Sequence, residues 1–401
     1  MKILIVSPLP IHYPPTDGHS LNIVYRSYFL KSIANISSDI IVPYKNKSDI
    51  GKLETSNVFE HTFGYPSQNK WYALVRFLFS KGFYDMFNLD DENLKNILHK
   101  LDTNYEVIIF DHSYSYKNYE KLINHINVNN NNIIYWSHNI DYIDYKNYAL
   151  EATNIFRKLF YYLNYQKLKT IEPAYIKKFR KIASVSKYEV DILKNINNKA
   201  KIYWIPPMLP EFKDLEVKKE DIDMLEEKVG KYHHKILFTG LLKKSSNIKA
   251  ALWFGKDVFP LIKKKLKACF IIVGQSPSKE VIEFVDNKED IFLFKDVESL
   301  APFYKLSDLV VVPLFNPAGI KLKLLEALKY KKKVVARKED LLGAGLENIV
   351  PNAQDKEDFA KKCIDVLEGK IDYNIVWNEF ERIYDNKRIV NLLLELLEIK
   401  K

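Results

Sequence analysis

Residues 309–328 read LVVVPLFNPAGIKLKLLEAL. An unbroken apolar run ends at Pro313, a small-residue turn follows at Pro317, Ala318 and Gly319, and a helical pattern begins. A continuous apolar strand next to a helix belongs to a parallel sheet covered on both faces. In such sheets ligands sit beyond the carboxyl ends of the strands, so the loop after this strand is a first candidate site. A helix start behind a glycine offers free N–H groups and the positive end of the helix dipole, which suits a phosphate. At about 100° per residue, Ile320, Leu324, Leu325 and Leu328 define the apolar face and Lys321 falls in its middle. That lysine either meets an anion or snorkels past the helix end to solvent. Glu326 lies nearer the polar flank, and periodicity does not mark it.

The same alternation extends in both directions. Strand-like runs at 235–239 (KILFT), 269–273 (CFIIV), 290–294 (DIFLF) and 333–336 (KVVA) accompany 309–313, with helical patterns at 320–331 and 355–368. The first half repeats the scheme at 2–7 (KILIVS), 39–43 (DIIVP), 106–111 (EVIIFD), 132–137 (NIIYWS), 182–186 (IASVS) and 201–206 (KIYWIP). Pro206, Pro207 and Pro210 interrupt the series, and a charged stretch without a strong apolar stripe follows. The expected fold is α/β, with two Rossmann-like doubly wound domains facing a cleft. The expected domains are 1–205 and 235–375, with a linker at 206–234. A helical tail at 376–401 is expected to pack back on the first domain.

A chain of 401 residues with 47% hydrophobic and 28% charged content fits two globular domains. The net charge of +10 admits nucleic acid, an anionic membrane or a phosphorylated small molecule as partner. No nucleic-acid motif accompanies the lysines, which leaves the last two. Cys269 and Cys363 have no metal-like spacing, so a reducing compartment is expected and no zinc. The opening MKILIVSPLP reads as a strand rather than a signal peptide. The expected location is cytoplasmic, with possible peripheral attachment to the inner face of a bacterial membrane.

Several loops after strands hold candidate groups. After the first strand come His12, Asp17, Gly18 and His19, where Asp17 serves either a ligand wall or a helix N-cap. His112 follows 106–111, and His138 with Asp141 follows 132–137; histidines there can bond substrate hydroxyls or be structural. Gly240, Lys243 and Lys244 follow 235–239, a loop that is either diphosphate-binding or simply solvated. Gly274 opens a loop that could meet a nucleotide base. Asp221-Ile222-Asp223 matches a metal-binding Asp-x-Asp pattern but falls in the linker, where a solvated acidic turn is expected.

Taken in order, ILFTGLL, NIKAALWF, FIIVGQSP, LAPFYKLSDLVVVPL and GIKLKLLEAL resemble the landmarks of glycosyltransferase family 4, which has the GT-B fold. Asp17-Gly18 and the tetrapeptide His138–Asp141 are similar too. The resemblance covers nearly the whole chain and implies a retaining, metal-independent transferase with no cofactor beyond its co-substrate, a UDP- or GDP-sugar. It implies a glycan or lipid-linked acceptor in surface polysaccharide or glycolipid assembly. Glu326 matches the glutamate that holds the ribose, while Gly319, Ile320 and Lys321 match the start of the diphosphate and sugar helix. Gly18 and His138 match first-domain donor contacts. The implied catalytic set is His138, Lys321 and Asp17, with His12, His19, His112 and Asp141 on the acceptor side.

The sequence departs from that pattern at three places. Ala318 replaces the first glutamate of a paired motif. Leu241 and Ser246 stand where an Arg and a Lys would hold phosphate, so Lys243, Lys244 or Lys321 must supply the charge. His19 replaces the second of two glycines. A sugar-nucleotide epimerase and a non-catalytic partner with the same fold stay open as alternatives. Residues 70–87 and 154–181 mix aromatic with basic side chains, as either a membrane-facing surface or a core with a solvated flank.

Overall fold

The computed structural model describes every residue except 16, 80, 81, 83, 86, 88, 103, 153, 211–216, 316–318, 400 and 401, and the side chain at 117. Two compact units emerge: Met1–Pro210 with Tyr384–Lys401, and Glu211–Ile383.

The first unit has seven strands: β1 (Lys2–Val6), β2 (Ser37–Tyr44), β3 (Thr62–Pro66), β4 (Val107–Asp111), β5 (Ile133–Ser137), β6 (Lys181–Ser184) and β7 (Lys201–Trp204). Every pairing is parallel, in the order β3-β2-β1-β4-β5-β6-β7. Helices α1 (Gly18–Ala34), α2 (Lys47–Thr55), α3 (Lys70–Phe79), α4 (Asp91–Leu98), α5 (Tyr116–Leu122), α6 (Asp141–Glu151), α7 (Ile155–Ile176) and α8 (Lys187–Ile196) connect them. β4 and β5 are buried along their whole length, which is why they read as unbroken apolar runs. Helix α1 starts where Asp17 accepts from the Ser20 N–H at 2.8 Å. It ends at Asn35, whose left-handed backbone (φ 54°) closes the last turn onto Lys31 O.

The second unit has α9 (Lys219–Val229), β8 (His234–Thr239), α10 (Ser245–Trp253), α11 (Phe259–Lys263), β9 (Ala268–Gly274), α12 (Lys279–Val285), β10 (Ile291–Lys295), α13 (Ala301–Leu306), β11 (Leu309–Val312), α14 (Leu322–Lys329), β12 (Lys333–Arg337), α15 (Lys338–Leu341), β13 (Asn352–Ala353), α16 (Lys356–Leu367) and α17 (Tyr373–Tyr384). Its sheet is also parallel, ordered β10-β9-β8-β11-β12-β13. The last helix, α18 (Asn386–Leu397), packs against α1 in the first unit. The two sheets establish the α/β class with two doubly wound units.

Four details differ from the sequence reading. Strand β3 (TFGYP) escaped it because Gly64 and Pro66 dilute a short edge strand. The charged stretch, expected as a linker with a surface helix, does hold helix α9, but that helix buries Leu225 and Val229 and packs on α13 of the second unit. The tail is two helices, broken where Asp385 caps α18 by accepting from Arg388 N. Helix α14 begins at Leu322, so Lys321 is its N-cap residue in extended conformation rather than a first-turn side chain.

Candidate functional site

In each sheet the strand order reverses once, at β1/β4 and at β8/β11, and doubly wound sheets bind ligands at such points. In the first unit Arg26 of α1 grips Asp111, the last residue of β4, through two bonds of 3.2 and 2.6 Å. Both side chains are sealed from solvent. The Trp136 ring lies 4.0 Å from the guanidinium. An arginine suits this place because its fork matches a carboxylate and its face stacks on an aromatic. Burial pushes the Asp111 carboxyl up, but Arg26 and His138 outweigh it and hold it at about 2. Asp111 is therefore ionised and accepts from the His138 Nε2–H at 2.8 Å. Burial keeps the His138 imidazole below its ordinary value against the pull of Asp111, so it is neutral near pH 7.

His19, the second residue of α1, sets its ring tilted 4.9 Å from that of His138 and edge-on 6.3 Å from that of His112. The Ser7 hydroxyl donates to Leu9 O at 2.7 Å and so accepts from His19 Nε2–H at 3.0 Å. This leaves His19 Nδ1 as a bare acceptor, buried and without a hydrogen-bond partner among the described residues. Burial, then His138 and His112, hold His19 well below its usual range. His112 differs. Its burial would lower it, but Asp141, with Nδ1 and Oδ2 3.0 Å apart, lifts it above the ordinary value. Its backbone (φ 66°, ψ 153°) lies in a region normally left to glycine. Hydrogen bonds from His112 N to Trp136 O and from Ser115 N to His112 O hold that turn. Asp141 opens α6 behind Ile140, which cannot cap; Glu172 of α7 accepts from Asp141 N at 3.0 Å and Tyr142 N at 2.9 Å instead.

In the second unit Gly240 directly follows β8. A Cβ there would stand 2.9 Å from Lys323 Nζ and 2.9 Å from Asn247 Cγ, so the missing side chain lets Lys323 reach over the loop. Lys323 Nζ donates to Asn247 Oδ1 at 3.0 Å and lies 4.2 Å from the Phe238 ring. Burial drives its ammonium down to about 7, with Lys244 and Lys321 adding to the effect and Asp340 and Glu326 opposing it. Gly274 serves the fold: a Cβ there would fall 1.8 Å from Gly240 O. One turn after Lys323, Glu326 accepts from Tyr304 OH at 3.1 Å. Tyr304 in turn stacks on Tyr330 at 4.8 Å. Burial raises the Glu326 carboxyl, while Tyr304 and Lys323 oppose the rise. Gly319 is buried with φ 64°, a conformation that favours glycine. Lys321 provides no side-chain cap for α14. Burial also pushes up the carboxyl of Asp340, on α15, against Lys321 and Lys323.

The structure thus gathers His19, His112, His138 and Asp141 into one cluster in the first unit. Gly18 is the exposed first residue of α1, and the side chain of His12 is half exposed, 4.0 Å from Asp17. Asp17 caps α1, with both carboxylate oxygens on Ser20. In the second unit Gly240 and Gly274 adjoin, and half-buried Ile320 and Lys321 lead into the helix of Lys323 and Glu326. Lys243 and Lys244 are exposed, and the cation placed against Gly240 is Lys323. Pro317 and Ala318 lie outside the described residues. Sequence reasoning missed Arg26, Lys323 and Tyr304. The one available signal was Lys323 three residues before Glu326, on one helix face.

Residues 233–369 match the family described as Glycosyl transferases group 1. Anabaena HepE, solved in complex with UDP, superposes with a TM-score of 0.65 at 12% identity, covering 99% of this chain and 100% of that one. The chain has the GT-B fold. A second GT-B relative in structure is a TarM variant from S. aureus in complex with fondaparinux, α-GlcNAc-glycerol and UDP; its TM-score is 0.61 at 12% identity, with 99% and 98% coverage. In sequence, a Klebsiella pneumoniae protein described as an uncharacterized 44.6 kDa protein in the cps region is 25% identical over 415 residues, 98% of this chain and 99% of that protein. The family match within the GT-B fold indicates a glycosyltransferase. Among the described residues no helix is long and apolar enough to cross a membrane.

Proposed function

We propose that the chain is a retaining glycosyltransferase. It moves a sugar from a UDP- or GDP-sugar to a glycan or lipid-linked acceptor in bacterial surface polysaccharide or glycolipid assembly. The observation that carries this reading is Lys323, a half-buried cation drawn over Gly240 and bonded to an amide oxygen. Such a charge is costly until an anion completes it. Glu326, one turn along, offers a carboxylate able to accept from both hydroxyls of a ribose. A diphosphate joined to a ribose matches that order of charges along α14. The UDP in the HepE and TarM structures and the cps-region description of the Klebsiella relative support the donor class and the setting.

In this reading the second unit takes the donor. Lys323, Lys321 and the first N–H groups of α14 stabilise the diphosphate as the bond from the anomeric carbon to its oxygen breaks. The lysines supply the charge that a metal ion supplies elsewhere. The sugar passes through an oxocarbenium-like state, and a diphosphate oxygen accepts the acceptor's proton. The first unit takes hydroxyl groups, with neutral His138 and His19 as hydrogen-bond partners.

A thermal-shift panel of nucleotide sugars tests the donor: a match raises the melting temperature with concentration over Kd. NMR of the transferred sugar then reads its anomeric configuration. No response to any nucleoside diphosphate overturns the reading. Conversion of donor to an epimer without acceptor overturns transfer in favour of epimerisation.

A further inference from the structure

We infer that α3 and the tip of the α6–α7 hairpin dock the first unit onto an anionic lipid bilayer. Helix α3 buries only Ala73 and Phe77 and leaves Trp71, Tyr72, Val75, Leu78 and Phe79 in solvent, Phe79 at 87% exposure. It rests on α7, where Phe77 meets Phe160 at 5.6 Å and the Lys167 ammonium lies 4.2 Å from the Phe77 ring. At the hairpin tip Leu150, Ile155, Phe156 and Leu159 are exposed, Phe156 at 79%. Between α6 and α7 runs a groove of about 380 Å³, lined by Ala149, Leu150, Ile155, Leu159 and Tyr162 with Lys146 and Lys158 among them. Apolar groups clustered this way on a surface mark a docking face rather than ordinary exposure.

Charge selects the occupant. Helix α3 and residues 146–169 carry seven basic side chains (Lys70, Arg76, Lys146, Arg157, Lys158, Lys167 and Lys169) against one acid, Glu151. A second copy meeting this face through its own equivalent would bring like charges together. Anionic headgroups complement the basic groups, while the aromatic and aliphatic side chains enter the acyl boundary. The groove then accepts part of one lipid chain, and the exposed side chains of Lys146, Arg157, Lys158 and Lys169 reach outward to phosphate. This inference stands apart from the transfer reading, since a chain that binds no nucleotide can still bind lipid.

The test is flotation of the full chain with phosphatidylcholine vesicles, with and without about one third phosphatidylglycerol. The chain is expected to float with the anionic vesicles at least about tenfold more than with the neutral ones, and to be released by salt. Phe79→Ser with Phe156→Ser, both surface positions, is expected to cut the bound fraction on the order of tenfold. The melting temperature and its response to UDP should stay unchanged. Arg157→Ala with Lys158→Ala should lower binding to anionic vesicles alone. Absence of flotation, equal binding to both vesicle types, or a dimer that the Phe79/Phe156 pair of changes dissolves would overturn the inference.

Discussion

Arg26 in the first unit and Lys323 in the second are both cations drawn in at the carboxyl ends of a parallel sheet, Arg26 fully buried and Lys323 half-buried. Arg26 meets a carboxylate through two bonds and an indole face. Lys323 meets an amide oxygen and a phenyl face. The first cluster is closed around the Arg26–Asp111 pair, and it leaves His138 and His19 as neutral imidazoles suited to bonding uncharged groups. The second pairs its ammonium with no carboxylate bond among the described residues, which is what the proposed reading uses to receive an anion. One fold, repeated, thus offers two different electrostatic environments at corresponding places.

The largest test of that contrast is Arg26→Met. Removing one partner of a buried pair leaves Asp111 charged and unmet, and about 3–5 kcal/mol of stability should be lost in urea unfolding. A loss below about 1 kcal/mol would mean that the pair is open to water. Lys323→Met should do the reverse: melting without ligand holds or rises, because the cost of desolvating the ammonium is gone, while UDP affinity by calorimetry falls by roughly ten- to a hundredfold. Equal UDP affinity in the variant would remove the anion from this site. Glu326→Ala should weaken UDP by about fivefold and leave pyrophosphate affinity intact, a split that one titration series reads directly. Lys321→Ala should reduce transfer more than donor binding.

The smallest effect is a proton. Free Lys323 loses its proton near pH 7 and must regain it to face a diphosphate. UDP affinity should therefore fall as pH rises above about 7, with uptake of part of a proton seen by calorimetry in two buffers at about pH 8. An unfolded lysine keeps its proton to about 10.4, so between these values the unfolded chain binds more protons. The contribution of Lys323 to stability accordingly rises with pH across that window. Lys323→Met should abolish the uptake.

The sheets were legible because β4, β5, β9 and β11 are buried on both faces and must be apolar throughout. Strand β3 was not, because an edge strand tolerates the glycine and proline that otherwise signal a turn. The histidine loops were legible as strand ends, whereas Arg26 was not. Helix α1 buries Ser20, Asn22, Arg26 and Ser27 beside Ile23 and Leu30, so it has no clean stripe to show which polar groups face inward. Periodicity does not mark Lys323, because its placement depends on the bare backbone at Gly240, a relation between segments far apart in sequence. Gly240 and Gly274 open loops that the sequence offers as diphosphate and base contacts or as plain turns; their bare backbones make room for Lys323 and for the chain itself.

Asn386 accepts from Leu209 N at 3.2 Å and donates to Leu209 O at 2.8 Å, and the helix it begins lies against the one that carries His19 and Arg26. The polypeptide therefore leaves its first unit at residue 210 and re-enters it at 384. Cutting off the final eighteen residues would injure the opposite end of the sequence, loosening the histidines rather than the lysine. A recombinant fragment meant to isolate the first unit must be spliced from two pieces, since stopping at 210 omits a wall.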